Sequence, residues 1–256
     1  MTPSLNPFYT PAPTSGATFV PAERTPAPVY ARLPRAPITG SPVPRLTSLY
    51  HFTEAGPYGS RSYPGNCSGE LIKDVLQFYR PSMVFDPMRG SGTCSDVCDE
   101  LGIPCIAFDI HDGFDACDPS GFPPAESFEF IWAHPAYWRM KLYADDPKDL
   151  SRCPTLDDFL RRYGQFVRNA AKSLKPGGRL AILMGDYHDS HEGFVPLTYH
   201  TKRLAFAAGL VQCATDIVRF SHGASSGRKR YRASFIPGLH DTLMIFRKPV
   251  AKGGRP

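Results

Sequence analysis

One stretch of the chain combines glycines and carboxylates at a spacing suited to holding a nucleotide-like ligand. Residues 83–110 contain an apolar run, a turn with Gly90 and Gly92, a helical pattern, and a second apolar run that closes on Asp109. Glycine has no Cβ, so the backbone can turn tightly and a ligand can lie against it. Asp109 follows Gly90 by nineteen residues, where a doubly wound fold usually places the carboxylate that binds ribose hydroxyls. The pattern predicts strand, glycine loop, helix and strand, the first βαβ unit of a cofactor site.

The residues around the glycines favour one cofactor over another. A dinucleotide dehydrogenase would have a small, glycine-like residue three positions after Gly92, where this chain has Ser95, which weakens that alternative without excluding it. The loop resembles the S-adenosylmethionine loop of the DNA amino-methyltransferases, Asp-Pro-Phe-x-Gly-Ser-Gly-Thr, with Met88 in place of Phe. The resemblance implies S-adenosylmethionine as the cofactor, bound by the residues that match the motif and by the ribose carboxylate: Asp86, Pro87, Gly90, Ser91, Gly92, Thr93 and Asp109.

The same resemblance gives a role to two neighbouring segments. In that family a short proline-containing segment and a helix upstream of the glycine loop cover the methionine end of the cofactor. Residues 63–79, with Leu71, Val75 and Phe78 on one helix face, look like that element, and an ordinary covering helix is the alternative. The carboxylate-rich loop after the second strand implies Asp118 as the contact of the adenine ring, with a solvated loop charge as the alternative.

A second motif follows the apolar strand at 128–132, at the strand end where open α/β proteins place their chemistry. The amino-methyltransferase family has Asp, Asn or Ser there, then Pro-Pro, then an aromatic residue. An exocyclic amine on a base is a poor nucleophile because its lone pair is delocalised into the ring. By the resemblance, the side chain of His134 and the carbonyl of Pro135 accept the hydrogens of that amine, and Tyr137 stacks on a base turned out of its helix.

His134 and Ala136 depart from the family pattern and leave two alternatives. A neutral imidazole has one acceptor nitrogen and can replace Asp or Ser, whereas protonation abolishes that ability. We therefore expect an active enzyme whose rate falls as the pH drops through the His134 pKa, and a profile flat from about pH 5.5 to 8 would argue against this role. The alternative is a degenerate site that binds cofactor or nucleic acid without methyl transfer.

The rest of the chain supplies the elements that must position these residues. Periodicity and turn residues predict the following order: a helix at 155–174, a Lys-Pro-Gly-Gly turn at 175–178, a strand at 179–184, a helix at 196–208, and strands at 211–220 and 242–247. The last two strands resemble the terminal hairpin of this fold. Their connecting loop carries side chains suited to phosphate contact and base stacking, with a solvated loop as the alternative: Arg228, Lys229, Arg230, Tyr231 and Arg232.

The charge distribution points to a polyanionic partner. The net charge is +5, yet residues 202–256 alone carry eleven Lys and Arg against two Asp, which leaves residues 49–201 net acidic. A basic C-terminal third beside an acidic cofactor half suggests that a polyanion docks on one side only. Residues 1–48 hold eleven of the 27 prolines without helical or strand period, so we expect a disordered tail that is either passive or binds a partner.

Cysteine usage and hydropathy exclude other classes. The seven cysteines are an odd number without a Cys-x-x-Cys pair, so we expect reduced, partly buried thiols and no metal site. No apolar run approaches the roughly 18 residues of a membrane span, and the N-terminus lacks a signal pattern. We expect a soluble cytoplasmic protein with no membrane partner.

Together these features predict a Rossmann-like α/β methyltransferase with a doubly wound, mostly parallel sheet and a C-terminal antiparallel hairpin. We expect a disordered tail over 1–48, the methyltransferase domain over 49–249 and a flexible end over 250–256. By the resemblance, the enzyme methylates an exocyclic amine of a nucleic-acid base, adenine N6 or cytosine N4, in DNA in preference to RNA. No separate target-recognition domain fits in this length, so we expect sequence specificity that is low, that resides in the loops at 139–154 and 221–239, or that comes from a partner bound through the proline-rich tail.

Overall fold

A computed structural model of the chain describes residues 39–52, 54–220, 236 and 238–250. Four α-helices occur in this part of the chain: α1 Gly69–Tyr79, α2 Thr93–Leu101, α3 Leu156–Ser173 and α4 Leu197–Ala207. Its strands are β1 Leu49–Tyr50, β2 Val84–Asp86, β3 Cys105–Ala107, β4 Phe128–Ala133, β5 Leu174–Met184, β6 Tyr187–Asp189, β7 Gly193–Val195, β8 Val211–Gln212, β9 Ile217–Phe220 and β10 His240–Arg247. Within the described residues no helix combines the length and the apolarity needed to cross a bilayer.

The main sheet confirms the predicted architecture. Its strand order is β1-β9-β10-β5-β4-β2-β3, with β8 pairing to β10 beside this path. Strands β3, β2, β4 and β5 pair in parallel, whereas β10 is antiparallel to both β5 and β9. The sheet is therefore a Rossmann-like, doubly wound sheet that ends in an antiparallel hairpin. The short pair β6-β7 forms a separate antiparallel ribbon, which the sequence did not predict.

Both faces of the sheet are buried, which explains why its strands are continuous apolar runs. Alternate residues of β5 belong to two different cores: Leu180 and Ile182 face α3 and α4, whereas Ala181 and Leu183 face α1 and α2. This alternation follows from the two-residue period of a strand. The helices thus lie on opposite faces and leave the ends of the strands free to hold a site.

Several local features differ from the sequence-based expectation. Phe78 is 41% exposed, because α1 buries the neighbouring positions Ile72 and Leu76 instead. The predicted strand at 211–220 is two strands, β8 and β9. The Lys-Pro-Gly-Gly turn does not separate helix from strand, since β5 already begins at Leu174. Its residues form an irregularity in the β4-β5 pairing, where Phe128 pairs with Leu174 but Phe130 pairs with Arg179.

The predicted N-terminal tail is partly packed on the domain. Val43 is buried, and Arg45 pairs with Glu70 at 2.9 Å and with the fully buried Asp74 at 2.6 Å. Tyr50 also donates to Asp74, at 2.8 Å. The contacts with α1 therefore begin before residue 49, while residues 1–38 of the predicted tail and residues 251–256 lie outside the described residues.

Candidate functional site

A cleft opens at the carboxyl ends of β2 and β4, where the strand order reverses. The chain leaves β2 to build β3 on one side, then crosses to build β4 on the other, and ligands of open α/β sheets bind at such a switch point. The empty volume of the cleft is about 850 Å³, its open mouth included. This is within the range of about 300–1,000 Å³ that is usual for small-molecule sites. The cleft can therefore hold a ligand of nucleoside size.

Most of the predicted cofactor residues line this cleft. Those that do are Asp86, Pro87, Gly90, Ser91, Thr93 and Asp109, and His134 joins them from the end of β4. Among the predicted site residues that the structure describes, four are not in the lining: Gly92, Asp118, Pro135 and Tyr137. Gly92 is the N-cap of α2, directly behind the loop. The cleft thus brings the glycine loop and the His134 motif to one cavity.

The glycine loop needs glycine at both positions. Gly90 and Gly92 have φ angles of +53° and +90°, in the left-handed region that other residues rarely adopt. A Cβ on Gly90 would also lie 3.0 Å from the ring of Tyr63. The amide of Gly90 donates to Asp109 Oδ2 at 2.9 Å, so the carboxylate at the end of the second strand holds the loop in place.

Asp109 is buried and accepts hydrogen bonds on both of its oxygens. Besides the amide of Gly90, its Oδ1 accepts from the amide of His111 at 3.1 Å and lies 2.6 Å from His111 Nδ1. This contact raises the pKa of His111. The carboxylate is consequently fixed in orientation before any ligand arrives, which is what a ribose-binding group requires.

Asp86 is the other carboxyl group in the cleft, and burial changes its protonation. Its side chain is 2% exposed, and loss of hydration raises its pKa to about 8, although the hydrogen bond from the amide of Met88 opposes that shift. The group is therefore mostly protonated at neutral pH. A cation beside it would favour the carboxylate.

The segment before α1 covers one side of the cleft, which residues 63–67 line. Tyr63 stacks on Tyr143 with ring centres 5.9 Å apart, and both residues line the cleft. Asn66 accepts a hydrogen bond from the hydroxyl of Thr93, which ties the covering segment to the first residue of α2. Gly59 donates to Asp96 at 2.7 Å and adds a second link. This cover closes one side of the glycine loop.

His134 lines the cleft from the end of β4, and its ring is neutral. Loss of hydration lowers its pKa to about 4, although the negative charge of Asp241 opposes the shift. A neutral imidazole retains an acceptor nitrogen throughout the physiological pH range. The ring of Tyr137 meets that of His134 edge-on, with centres 6.1 Å apart. The structure thus supplies a neutral acceptor next to an aromatic ring.

Tyr137 belongs to a polar cluster beyond His134, away from the glycine loop. Its hydroxyl donates to Asp241 Oδ1 at 3.3 Å, and the other oxygen of Asp241 pairs with Arg219. Burial alone would raise the pKa of Asp241, but Arg219 and His134 outweigh it and hold the pKa below its ordinary value. Asp241 and Arg219 are consequently both ionised, and their opposite charges nearly cancel at the strand ends.

Gly185 gives this cluster its room. A Cβ at Gly185 would lie 2.6 Å from Asp241 Oδ1 and 3.2 Å from the Tyr137 hydroxyl, both closer than side chains tolerate without shifting. Arg219 and Asp241 were not predicted as site residues from the sequence. The signal for these two is their cross-strand pairing, since Asp241 is opposite Arg219 in the antiparallel register of β9 and β10.

Comparison with known proteins yields likeness at the level of the fold. The architecture is Rossmann-like. The chain matches no protein-family model and none of the curated proteins. One similar structure is a provisionally assigned DNA modification methylase from Thermus thermophilus complexed with S-adenosyl-L-methionine (22% identity, 56% of each chain covered, TM-score 0.40).

Two further structures resemble the chain to a similar degree. TrmN from Thermus thermophilus is 18% identical over 72% of this chain and 50% of that one, with a TM-score of 0.45. A SAM-dependent methyltransferase from Archaeoglobus fulgidus is 14% identical over 71% of this chain and 95% of that one, with a TM-score of 0.44. The chain spans about half the length of the modification methylase and of TrmN. At these scores the likeness assigns neither family nor substrate, so the functional proposal rests on the residues of the cleft.

The predicted adenine contact, Asp118, is exposed and outside the cleft wall. Its carboxylate accepts from the amide and the hydroxyl of Ser120, both at 2.8 Å, and these hydrogen bonds lower its pKa. Three residues earlier, Asp115 lines the cleft and pairs with Arg162 at 2.9 Å. Phe114 beside it offers an apolar ring to the same cavity.

The predicted nucleic-acid-binding residues, Arg228, Lys229, Arg230, Tyr231 and Arg232, lie outside the described residues. The strands that bracket them are described. Because β9 is parallel to β5, the last residue of β9, Phe220, and the first residue of β10, His240, lie at the same sheet edge as the cleft, where they pair with each other. The chain therefore leaves and rejoins the sheet at the edge that carries the candidate site.

Three of the thiols form a cluster that the sequence did not indicate. The Sγ atoms of Cys94, Cys98 and Cys105 all lie within 4.8 Å of one another. Two of these residues are on α2 and the third begins β3, so only the folded βαβ unit brings them together. Cys94 also lines the cleft, which places the cluster directly behind the glycine loop.

Proposed function

We propose that this chain transfers a methyl group from S-adenosylmethionine to an exocyclic amine of a nucleic-acid base, adenine N6 or cytosine N4, with DNA favoured over RNA. The observation that carries the proposal is that a single cleft contains both the glycine loop and the neutral ring of His134. The glycine loop suits the methyl donor. The neutral ring of His134 suits the amine, because the amine must donate a hydrogen bond to an acceptor. The two requirements of the reaction meet in one cavity.

The donor would be held by Asp86, Pro87, Gly90, Ser91, Gly92, Thr93 and Asp109, with Asp118 retained from the family resemblance as an adenine contact. Asp109, which is held in place by the amide of Gly90, would accept from the ribose hydroxyls, and the segment that contains Tyr63 and Asn66 would cover the methionine end. The donor carries a sulfonium and an ammonium group, both cationic. A buried Asp86 whose pKa is raised to about 8 would become ionised beside such a cation.

The acceptor side would be formed by His134, Pro135 and Tyr137. The neutral imidazole of His134 accepts one amine hydrogen and the carbonyl of Pro135 accepts the other, which restores the nucleophilic lone pair on nitrogen. The ring of Tyr137 is partly buried and is fixed at its hydroxyl by Asp241, so it offers a rigid stacking surface for a flipped base. Arg219 neutralises Asp241, which keeps the carboxylate from repelling the phosphates of an approaching strand.

The basic residues at 228–232 would bind the phosphate backbone. Both ends of the loop that contains it are anchored at the cleft edge, at Phe220 and His240. Phosphate contacts supply affinity without sequence information. Any sequence preference would then come from loops near the cleft or from a partner bound by the proline-rich N-terminal residues.

A nucleic-acid-binding protein that retains the donor cleft without methyl transfer is the second candidate. The observation that favours it is the position of Tyr137, whose ring is not among the residues that line the cleft and whose hydroxyl is already committed to Asp241. Ala136 in place of the second proline of the motif points the same way. The two candidates share donor binding and differ only in transfer.

Radiolabelled S-adenosylmethionine, incubated with duplex DNA, single-stranded DNA and RNA, separates these candidates. We expect label in a base, lost at least 100-fold in His134→Ala and Tyr137→Ala, while donor affinity stays within a few-fold. The matched controls are His191→Ala and Tyr199→Ala, two exposed residues outside the cleft, which should retain full activity. Transfer that survives both site variants would contradict the assignment of the acceptor side. Donor binding by the wild type without transfer to any substrate would favour the second candidate.

A further inference from the structure

The thiols behind the glycine loop are arranged as ligands rather than as scattered core residues. Cys94 and Cys98 are four residues apart on α2 and therefore lie on the same helix face. That face packs on β3, whose first residue is Cys105, and β3 is fixed by parallel pairing of Cys105 with Val84. Because all three come from regular elements, the positions of their sulfur atoms are set by the fold.

The separations suit coordination of one ion. A thiolate binds a d10 metal ion at about 2.3 Å, which places the sulfurs of a trigonal site about 4.0 Å apart. The three Sγ atoms already lie within 4.8 Å of one another, so each separation needs to shorten by less than about 1 Å. Rotation about the Cα–Cβ bonds can supply a change of that size without moving the backbone.

Two features of the surroundings suit a site built from thiolates. Cys94 is the second residue of α2, where the partial positive charge of the helix N-terminus stabilises an anion. Cys94 and Cys98 are 1% and 0% exposed. Among the described residues no His, Asp or Glu joins the group, so its donor set is sulfur alone.

We propose that Cys94, Cys98 and Cys105 bind one soft d10 metal ion, Cu(I) or Zn(II), in a three-thiolate site. Three sulfur–metal bonds form as three S–H bonds break, the three protons leave to solvent, and no atom changes oxidation state. Soft thiolate ligands select these two ions over magnesium, calcium or manganese. The site ties α2, which begins directly after the glycine loop, to β3, and it is independent of the proposed methyl transfer.

Metal titration of the full chain, stripped with a chelator and kept reduced with a phosphine, tests the site. Zn(II) alone is titrated against a chromophoric chelator, and Cu(I) alone against bicinchoninate, so the two arms identify the preferred ion. We expect one equivalent of one of these ions to bind with loss of three reactive thiols. Cys98→Ser and Cys105→Ser should each weaken binding at least 100-fold. Cys213→Ser, which removes a partly buried thiol outside the cluster, should leave the affinity unchanged.

Binding of both ions no tighter than to the Cys94→Ser/Cys98→Ser double variant would overturn the proposal, as would an equal loss in Cys213→Ser. Circular dichroism checks that the variants fold. If they do not, cadmium NMR of the wild type decides the question without substitutions. A cadmium shift typical of three sulfur ligands supports the site, and a spectrum of free cadmium alone overturns it.

Discussion

The amide of Gly90 donates to Asp109 Oδ2 at 2.9 Å, across nineteen residues of sequence. The glycine loop and the proposed ribose carboxylate are therefore one unit. A ligand that engages Asp109 also meets a loop already held by the same side chain. Such preorganisation lowers the entropy lost on binding, because neither group has to be ordered by the ligand.

Replacing Asp109 should disturb the loop and the ribose contact together. We expect Asp109→Ala to weaken S-adenosylmethionine binding at least tenfold, about 1.4 kcal/mol, because the amide of Gly90 loses its acceptor. Calorimetric titration measures the affinity. Asp99→Ala is the matched control, since it removes an exposed acidic side chain of α2 that is not among the residues lining the cleft. Equal affinities of the two variants would contradict the role of Asp109.

Donor binding should release a proton from Asp86. The free protein holds this carboxyl mostly protonated at pH 7, because burial raises its pKa to about 8. A bound cation lowers that pKa, so the proton leaves and the affinity rises as the pH increases from about 6 to 8. Calorimetry in buffers of different ionisation enthalpy counts the proton. Asp86→Asn should abolish the release, and a wild type that releases none near pH 7 would rule out a cationic ligand beside Asp86.

The same carboxyl should make folding stability pH-dependent. Its folded pKa, about 8, is above its ordinary value of 3.8, so between these values the folded protein holds a proton that the unfolded chain has lost. The contribution of Asp86 to stability is therefore largest at low pH and is lost as the pH rises toward 8. Urea unfolding of the wild type and of Asp86→Asn from pH 5 to 8 measures it. The difference between the two proteins should grow with pH, in favour of the variant.

The rate of methyl transfer should fall at a lower pH than the sequence suggested. Sequence reasoning used the ordinary pKa of histidine, for which a profile flat from pH 5.5 to 8 would argue against His134 as an acceptor. Burial lowers the pKa of His134 to about 4, so the acceptor stays neutral across that range. We now expect no loss of rate from His134 between pH 8 and 5.5, and a decline only toward pH 4. Single-turnover rates, corrected for the pH dependence of donor binding, measure this.

The basic loop should account for the salt dependence of nucleic-acid binding. Neutralising Arg228, Lys229, Arg230 and Arg232 to Gln should reduce the slope of log affinity against log salt by up to about 3.6, about 0.9 for each duplex phosphate contact. Fluorescence anisotropy from low to moderate salt measures the slope. Lys172→Gln/Lys175→Gln removes two exposed charges at the opposite sheet edge and should leave it unchanged. An unaltered slope in the loop variant would disprove the phosphate contacts.

The glycine loop and the fold were predictable because their determinants are local. The positive φ angles of Gly90 and Gly92, the capping of α3 by Thr155 and the apolar runs of the strands all follow from residues close in sequence. The bulge between β4 and β5 was not predictable, because the Lys-Pro-Gly-Gly sequence is equally compatible with the end of a helix. The pairing of Leu174, just before that turn, with Phe128 depends on a neighbouring strand.

The remaining site residues require tertiary register. Arg219 and Asp241 are separated by a long loop, and they meet because β9 and β10 pair in one of several registers that the sequence allows. The cluster of Cys94, Cys98 and Cys105 was not predicted, because their proximity depends on how α2 lies on β3. The lowered pKa of His134 likewise comes from burial, which no motif encodes.

A substitution at Gly185 should separate donor binding from methyl transfer. A single methyl group there would contact Asp241 and Tyr137 while leaving Gly90 and Asp109 untouched. Gly185→Ala should therefore bind the donor normally yet be slow to use it, whereas Gly121→Ala, where a Cβ meets nothing closer than 4.0 Å, should behave as wild type. A variant that binds the methyl donor but does not transfer the methyl group would stay bound to its nucleic acid. The sequences that it occupies could then be identified directly.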